Sequence, residues 1–128
     1  MLAERPHLTI GELCDEFGVT ARALRFYEDE ALIAPERRGT QRLYSERDRA
    51  RLAWILRGKR VGLSLADIKD LLDLYDVGDG RRTQRLKTIE RCQAQVDALK
   101  RQRVDIDATV DELTKFIALV KAQTDQEG

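Results

Sequence analysis

The sequence predicts a mainly α-helical protein, with a winged helix-turn-helix head followed by a long coiled-coil dimerisation helix. Three observations predict this fold. Helix-start signals recur at short intervals in the first half of the chain, and a basic stretch after Pro35 has the pattern of a small hairpin. The stretch from Arg81 to Lys121 then contains neither Gly nor Pro. A chain of 128 residues has room for one small head and one extended helix.

The first two predicted helices are joined by a very short turn. The stretch Thr9–Glu12 has the pattern of a capping box, and the apolar residues that follow are spaced by three and four. Gly18 suits a helix end, and Thr20 suits the cap of a second helix over Ala21–Glu30. This pattern is typical of a helix-turn-helix unit, although many helical hairpins share it.

A wing is predicted directly after the second helix. Pro35 cannot continue a helix, and two short extended runs follow at Glu36–Arg38 and Arg42–Tyr44. Residues 39–41 contain a Gly and connect the two runs. We therefore expect a small hairpin whose flanks carry several arginines.

Two further helices are predicted to complete the head. Ser45 caps one that runs to about Arg57, with a buried side formed by Leu52, Ala53, Ile55 and Leu56. Residues 59–61 are expected to form a short loop, because Gly58 and Gly62 bracket them. Ser64 caps the next helix, and residues 77–80 resemble a hinge. The expected core face of that helix consists of Leu65, Ile68, Leu71, Leu72 and Tyr75.

A seven-residue repeat runs along the last helix, which is predicted over 81–121. A polar tail is predicted over 122–128 and is expected to be frayed from Gln123 onward. Nine of ten seam positions are apolar or Cys, and the exception is Arg103. A helix of this length cannot bury such a stripe alone, and the head is too short to cover it, so we expect a homodimer. The dimerisation residues are predicted to be Ile89, Cys92, Val96, Leu99, Ile106, Val110, Leu113, Ile117 and Val120.

The sequence gives little support to several other classes. Cys14 and Cys92 are far apart and the chain has one His, so we expect no metal site, no cofactor and no disulfide framework. No nucleophile–base pair or phosphate loop is recognisable, so we expect no catalytic residues and no enzyme. There is no apolar run of about 18 residues and no leader pattern, so we expect a cytoplasmic protein with no membrane partner.

Positive charge is concentrated between Thr20 and Arg60, where eleven Arg and Lys stand against six Asp and Glu. Arginines form bidentate contacts with phosphates and guanine edges, although a solvated basic helix would explain the charge alone equally well. Tyr27 and Tyr44 could instead be packing residues. The residues predicted to contact DNA are Thr20, Arg22, Arg25 and Tyr27 on the second helix, Arg42 and Tyr44 in the wing, and Lys59 and Arg60 beyond it.

The combined motifs resemble the MerR family of bacterial transcription regulators. The stretch from Thr20 to Glu28, TARALRFYE, looks like the family's recognition helix, and LIAPER followed by QRLYS looks like its wing. The stretch GLSLADI from Gly62 looks like its second wing and fourth helix. The resemblance covers residues 8–77 by motif, as a DNA-binding domain, and 81–121 by architecture. Ala31 departs from the pattern, because the family usually has Gly there.

The resemblance implies a mechanism and a set of partners. Such proteins bind pseudo-palindromic operators in double-stranded promoter DNA as antiparallel coiled-coil dimers, and they bend and untwist the DNA to realign the elements that bacterial RNA polymerase reads. A small-molecule effector is a possible partner. The cysteines of metal-sensing members are missing from the hinge and from the stretch after Lys121.

Several questions stay open at this stage. The stretch from Leu56 to Asp76 is similar to a subgroup that regulates leucine/isovalerate and acyl-CoA catabolism, which implies a catabolic pathway. The alternative function is a coiled-coil adaptor whose head binds protein. Activation and repression are equally compatible with the sequence, and the operator, the regulated genes and the effector are not specified.

Overall fold

The computed structural model of the chain describes residues 7–74, 78 and 80–127. It confirms the predicted fold class: a helical head with a small sheet, followed by a long helix. The chain has two compact units, one that ends at Thr88 and another that begins at Ile89. The elements in chain order are β1 (Leu8–Thr9), α1 (Ile10–Phe17), α2 (Ala21–Asp29), β2 (Glu36–Arg38), β3 (Gln41–Tyr44), α3 (Glu46–Arg60), α4 (Leu65–Asp73) and α5 (Arg82–Glu127).

Side-chain caps fix the starts of α1 and α2. Thr9 Oγ1 accepts a hydrogen bond from the Glu12 amide at 3.2 Å, and Glu12 Oε1 accepts one from the Thr9 amide at 3.0 Å. Thr20 Oγ1 accepts from the Ala23 amide at 3.1 Å. Between the helices Gly18 adopts a left-handed conformation, with φ of 65°. The predicted helix-turn-helix is therefore confirmed in its local geometry.

In the turn after α2, Ala31 occupies a position whose backbone conformation is left-handed. Ala31 has φ of 60°, and its amide donates to the Glu28 carbonyl at 2.9 Å. The next amide, that of Leu32, donates to the Tyr27 carbonyl at 2.9 Å. Glycine adopts this conformation without a steric penalty, whereas alanine does so at a cost. The turn keeps its left-handed geometry even though the residue is not Gly.

The wing is part of a three-stranded antiparallel sheet with the order β1-β3-β2. Arg37 pairs with Arg42 across the hairpin, so the two predicted strands are confirmed. Gln41 belongs to β3 and not to the connecting turn, which is shorter than predicted. The sequence did not predict β1, which pairs Leu8 with Tyr44, because two residues are too few to show an alternating pattern.

The end of α3 differs from the prediction. The helix continues through Gly58 to Arg60, so the expected loop over residues 59–61 is wrong for Lys59 and Arg60. A Cβ at Gly58 would lie 2.8 Å from Ile68 Cγ1 on α4. The glycine therefore permits the close approach of two helices and does not end one. Ala53, predicted to be buried, is exposed on the outer face of α3.

The hydrophobic core of the head draws on α1, α2, the sheet, α3 and α4. Two charged side chains are buried beside it. Asp48 accepts from the Ala34 amide at 3.0 Å, and Arg51 donates through Nε to the Leu32 carbonyl at 2.6 Å. These bonds hold the segment between α2 and the wing. The core cluster consists of Leu13, Leu24, Tyr27, Leu32, Ile33, Tyr44, Leu52, Ile55, Ile68 and Leu72.

The long helix α5 begins at Arg82 and has 46 residues, which corresponds to about 69 Å at 1.5 Å per residue. Near its start Gln84 is buried, and its Nε2 donates to the Leu71 carbonyl of α4 at 2.8 Å. The frayed tail expected from Gln123 onward is wrong for residues 123–127, which contain no Gly or Pro and continue the helix. Across the part of the chain that the structure describes, no helix is long and apolar enough to span a membrane. Tyr75, Val77 and Asp79, which the sequence assigned to the core face and the hinge, lie outside the described residues.

Candidate nucleic-acid interface

The exposed face of α2 carries both arginines that the sequence predicts to contact DNA. Arg22 and Arg25 are exposed there, as are Phe26 and Asp29, and their spacing of three and four residues places them on one side. Leu24 and Tyr27 occupy the opposite side and are buried in the core. Thr20 is exposed at the start of the helix, where its hydroxyl can still donate a hydrogen bond. The two predicted arginines therefore share a solvent-facing surface.

The two predicted tyrosines occupy the core instead of the surface. Tyr27 is 3% exposed and Tyr44 is fully buried. Among the described residues no hydrogen-bond partner reaches the Tyr44 hydroxyl, and burial together with the Glu28 charge raises the pKa of that phenol. Both side chains are packing residues in this conformation, which was the alternative left open by the sequence. Their helix and strand positions explain why, because each points toward the apolar side of its element.

Phe26 is the surface residue that the sequence analysis missed. Its side chain is 45% exposed and it lies one helical turn after Arg22. The signal that would have found it is the helical period, since Leu24 and Tyr27 already fill the buried side of α2.

Glu28 joins the wing to α2. Its carboxylate accepts from Arg37 Nη2 at 2.9 Å and from Arg42 Nε at 2.8 Å. Burial, the largest single influence, raises the pKa of Glu28, but the hydrogen bonds and charges of Arg42 and Arg37 together outweigh it and lower the pKa. Glu28 therefore remains ionised and holds both wing arginines. Arg42, a predicted DNA contact, is only 22% exposed in this arrangement.

The basic end of α3 lies beside the same helix. Lys59 and Arg60 are exposed in its last turn, and Lys59 Nζ lies 5.6 Å from the centre of the Tyr27 ring. This distance is within the range of a cation–π contact. Two adjacent residues of α2 thus connect it to two other basic elements: Tyr27 to the end of α3, and Glu28 to the wing.

Two profiles of one protein family match this chain. Residues 8–74 match the family profile described as "MerR HTH family regulatory protein", and residues 49–116 match "MerR, DNA binding". The chain belongs to the MerR family of transcription regulators. A relative, the HTH-type transcriptional regulator HmrR of Rhizobium leguminosarum bv. viciae, is 32% identical to this MerR-family regulator over 111 residues, which are 85% of this chain and 78% of the relative.

Solved structures resemble the chain over most of its length. One is HiNmlR, a MerR family regulator lacking the sensor domain, bound to promoter DNA, with a TM-score of 0.59, 27% identity, and coverage of 81% of this chain and 78% of that chain. Another is PbrR691 from Ralstonia metallidurans CH34 in complex with lead(II), with a TM-score of 0.69, 28% identity, and coverage of 84% and 83%. These similarities do not favour the alternative that this MerR-family regulator is a protein-binding adaptor.

The unit that begins at Ile89 carries the apolar seam of this MerR-family regulator. Along α5 the predicted seam residues are all exposed in the single chain, from Ile89 at 65% to Val120 at 41%. Four large apolar residues of α5 outside the seven-residue repeat are exposed as well, namely Leu86, Val104, Phe116 and Leu119. An apolar surface of this extent indicates a protein contact.

The cysteines do not form a recognisable metal site in this MerR-family regulator. Cys14 is half-buried in α1 and Cys92 is exposed on α5. Within the described ranges, no group of three or more His, Cys, Asp or Glu side chains is placed to hold a metal ion.

Proposed function

We propose that this regulator binds a pseudo-palindromic operator in promoter DNA as a homodimer and controls transcription by distorting that DNA. The observation that carries the proposal is the pair Arg22 and Arg25 on the exposed face of α2, with the wing and the basic end of α3 tied to the same helix. A helix that enters the major groove needs exposed side chains that reach phosphates and base edges. The DNA-bound relative HiNmlR supports the assignment.

The proposed contacts fall into two groups. Arg22 and Arg25 read base edges or adjacent phosphates, and Thr20 donates to a phosphate at the start of α2. The backbone contacts come from Arg42, Lys59 and Arg60, which set register and affinity. Tyr27 and Tyr44 are proposed to act through packing and not through direct DNA contact, because their side chains are buried in the core of the head.

The second part of the proposal is an antiparallel dimer through α5. The seam from Ile89 to Val120 buries its apolar side chains against the same seam of a second copy. The proposed domains are a DNA-binding head over 8–77 and a dimerisation helix over 81–121. Two heads on one dimer explain why the operator has two half-sites, since the symmetry of the protein is repeated in the DNA.

A regulator that binds promoter DNA is expected to have further partners there. We expect bacterial RNA polymerase on the same DNA, a cytoplasmic location and no chemical step catalysed by the chain. A small-molecule effector is compatible with this role. The resemblance to the subgroup for leucine/isovalerate and acyl-CoA catabolism stays a prediction, because nothing in the structure or the comparisons tests it.

The proposal is tested by the salt dependence of binding to a selected genomic fragment. Neutralised phosphates release counterions, so the affinity falls steeply as salt rises. Arg22→Ala and Arg25→Ala should each cost roughly 1–3 kcal/mol of binding if the side chain reads a base. The matched control is Arg101→Ala, which removes the same charge from the exposed surface of α5 and should leave affinity unchanged. Equal affinity for all four proteins would contradict the interface.

A further inference from the structure

Phe26 has an unusual position on the proposed DNA-binding face. It is 45% exposed, and its neighbours on that face are Arg22, one turn before, and Arg25. A single exposed apolar side chain is common on protein surfaces and means little by itself. Here the side chain lies in the middle of the one helix face that is proposed to meet base edges.

The ring of Phe26 also contacts a second aromatic ring. Its centre lies 5.7 Å from that of the buried Tyr27 ring, at an interplanar angle of 59°, which is a favourable tilted arrangement. Tyr27 is in turn covered by Lys59 Nζ at 5.6 Å. This contact restricts the rotamers of Phe26 before DNA arrives, so less conformational entropy is lost on binding.

The chemistry of a phenyl ring limits what it can recognise in the major groove. It has no hydrogen-bond donor and no acceptor for the polar edges of guanine, cytosine or adenine. The apolar group that the major groove presents is the C5 methyl of thymine, and phenylalanine is among the side chains that contact it. Phe26 is the sixth residue of α2, within reach of the part of a recognition helix that meets the bases.

We propose that Phe26 is a specificity-determining residue that contacts the methyl group of a thymine in each operator half-site. The inference rests on the proposed function, since it requires α2 to lie in the major groove. Arg22 and Arg25 contact neighbouring base edges or phosphates on the same helix face, and Phe26 distinguishes thymine from bases without the methyl group. The contact buries a ring face that is exposed in the free protein.

The test replaces thymine by uracil, which removes only the methyl group, at one symmetric pair of operator positions at a time. At one of these pairs, the uracil substitution should lower the affinity of the full-length wild-type protein about fourfold for each half-site. The reason is that one buried methylene-sized group contributes about 0.8 kcal/mol. Phe26→Ala should bind the thymine and uracil operators equally, and Phe26→Leu should retain part of the discrimination. Since Phe26 is exposed, we expect both variants to fold, with only a small fall in melting temperature from loss of the contact with Tyr27.

The matched control is Arg25→Ala, which should weaken binding to both operators and keep the wild-type ratio between them. Uracil scanning that never changes wild-type affinity would overturn the inference. So would a Phe26→Ala protein that keeps the wild-type ratio while losing affinity, because the ring would then contact sugar or protein. Both results leave operator binding intact, whereas failure to bind any operator would overturn the proposed function together with this inference.

Discussion

Arg42 Nε lies 2.8 Å from Glu28 Oε2, so a strand of the wing is anchored to the proposed recognition helix by an ion pair. Arg37 donates to the other oxygen of the same carboxylate at 2.9 Å. One carboxylate on α2 therefore pairs with an arginine from each strand of the hairpin.

Glu28→Gln should destabilise the head by roughly 1–2 kcal/mol at neutral pH, because it removes the charge that both arginines pair with. The pKa of Glu28 is lowered in the folded protein from an ordinary value of 4.5. Its stabilising contribution is therefore complete above pH 4.5 and is lost as the pH falls through the lower folded value. Urea unfolding of both proteins across this range measures the difference, which should shrink in acid.

The control for that experiment is Asp29→Asn, which neutralises an exposed carboxylate on the same helix and should change stability little. A difference between wild type and Glu28→Gln that stays constant from neutral to strongly acidic pH would contradict the role of the ion pairs.

Ala31→Gly should stabilise the protein by about 0.5–1 kcal/mol. Ala31 has φ of 60°, and relief of its steric strain outweighs the extra chain entropy that glycine gives the unfolded state. Ala53→Gly is the matched control, because Ala53 is exposed within α3 and the same change there should cost about 1 kcal/mol. Thermal unfolding should show shifts of opposite sign, and two shifts of the same sign would argue against the left-handed turn.

Gly58→Ala should destabilise the head by roughly 1–3 kcal/mol, although alanine is the better helix former. The added methyl would lie 2.8 Å from Ile68 Cγ1 and 2.9 Å from Cδ1. Ile68→Ala removes both atoms, so the double variant should be more stable than the sum of the two single changes predicts. Strictly additive free energies of unfolding would mean that α3 and α4 do not approach each other this closely.

Ile106→Asp should convert the dimer to monomers, since it would bury an unpaired charge in the α5 seam. Ala108→Asp places the same side chain on the opposite face of the helix and should leave the dimer intact. Sedimentation velocity of the two variants distinguishes them. A dimer that survives Ile106→Asp would show that the seam is assigned to the wrong face.

The parts of the fold that depend on short-range signals could be predicted from the sequence. The caps at Thr9, Thr20 and Ser45 each act within four residues, so their hydrogen bonds follow from local spacing. The heptad repeat of α5 is likewise visible in the sequence because it recurs along one continuous helix. These features were sufficient to predict the order of the helices and the position of the wing.

Features set by contacts between distant residues could not be predicted in the same way. The sequence predicts a helix end at Gly58. The actual reason for glycine at this position is the close approach of Ile68 from α4, which the sequence does not show. The pairing of Glu28 with arginines nine and fourteen residues away has no periodic signature. The choice between Phe26 and Tyr27 is different, because the helical period from the buried Leu24 favours burial of Tyr27 and exposure of Phe26.

The measurement that tests the central claim most directly is selection of fragments of the source genome by the purified protein, followed by footprinting at two salt concentrations. The account predicts protection of an inverted repeat within a promoter, retained at the higher salt concentration by wild type and lost with Arg25→Ala. Absence of any enriched site, or weak binding that disappears with modest salt and does not depend on Arg25, would contradict it.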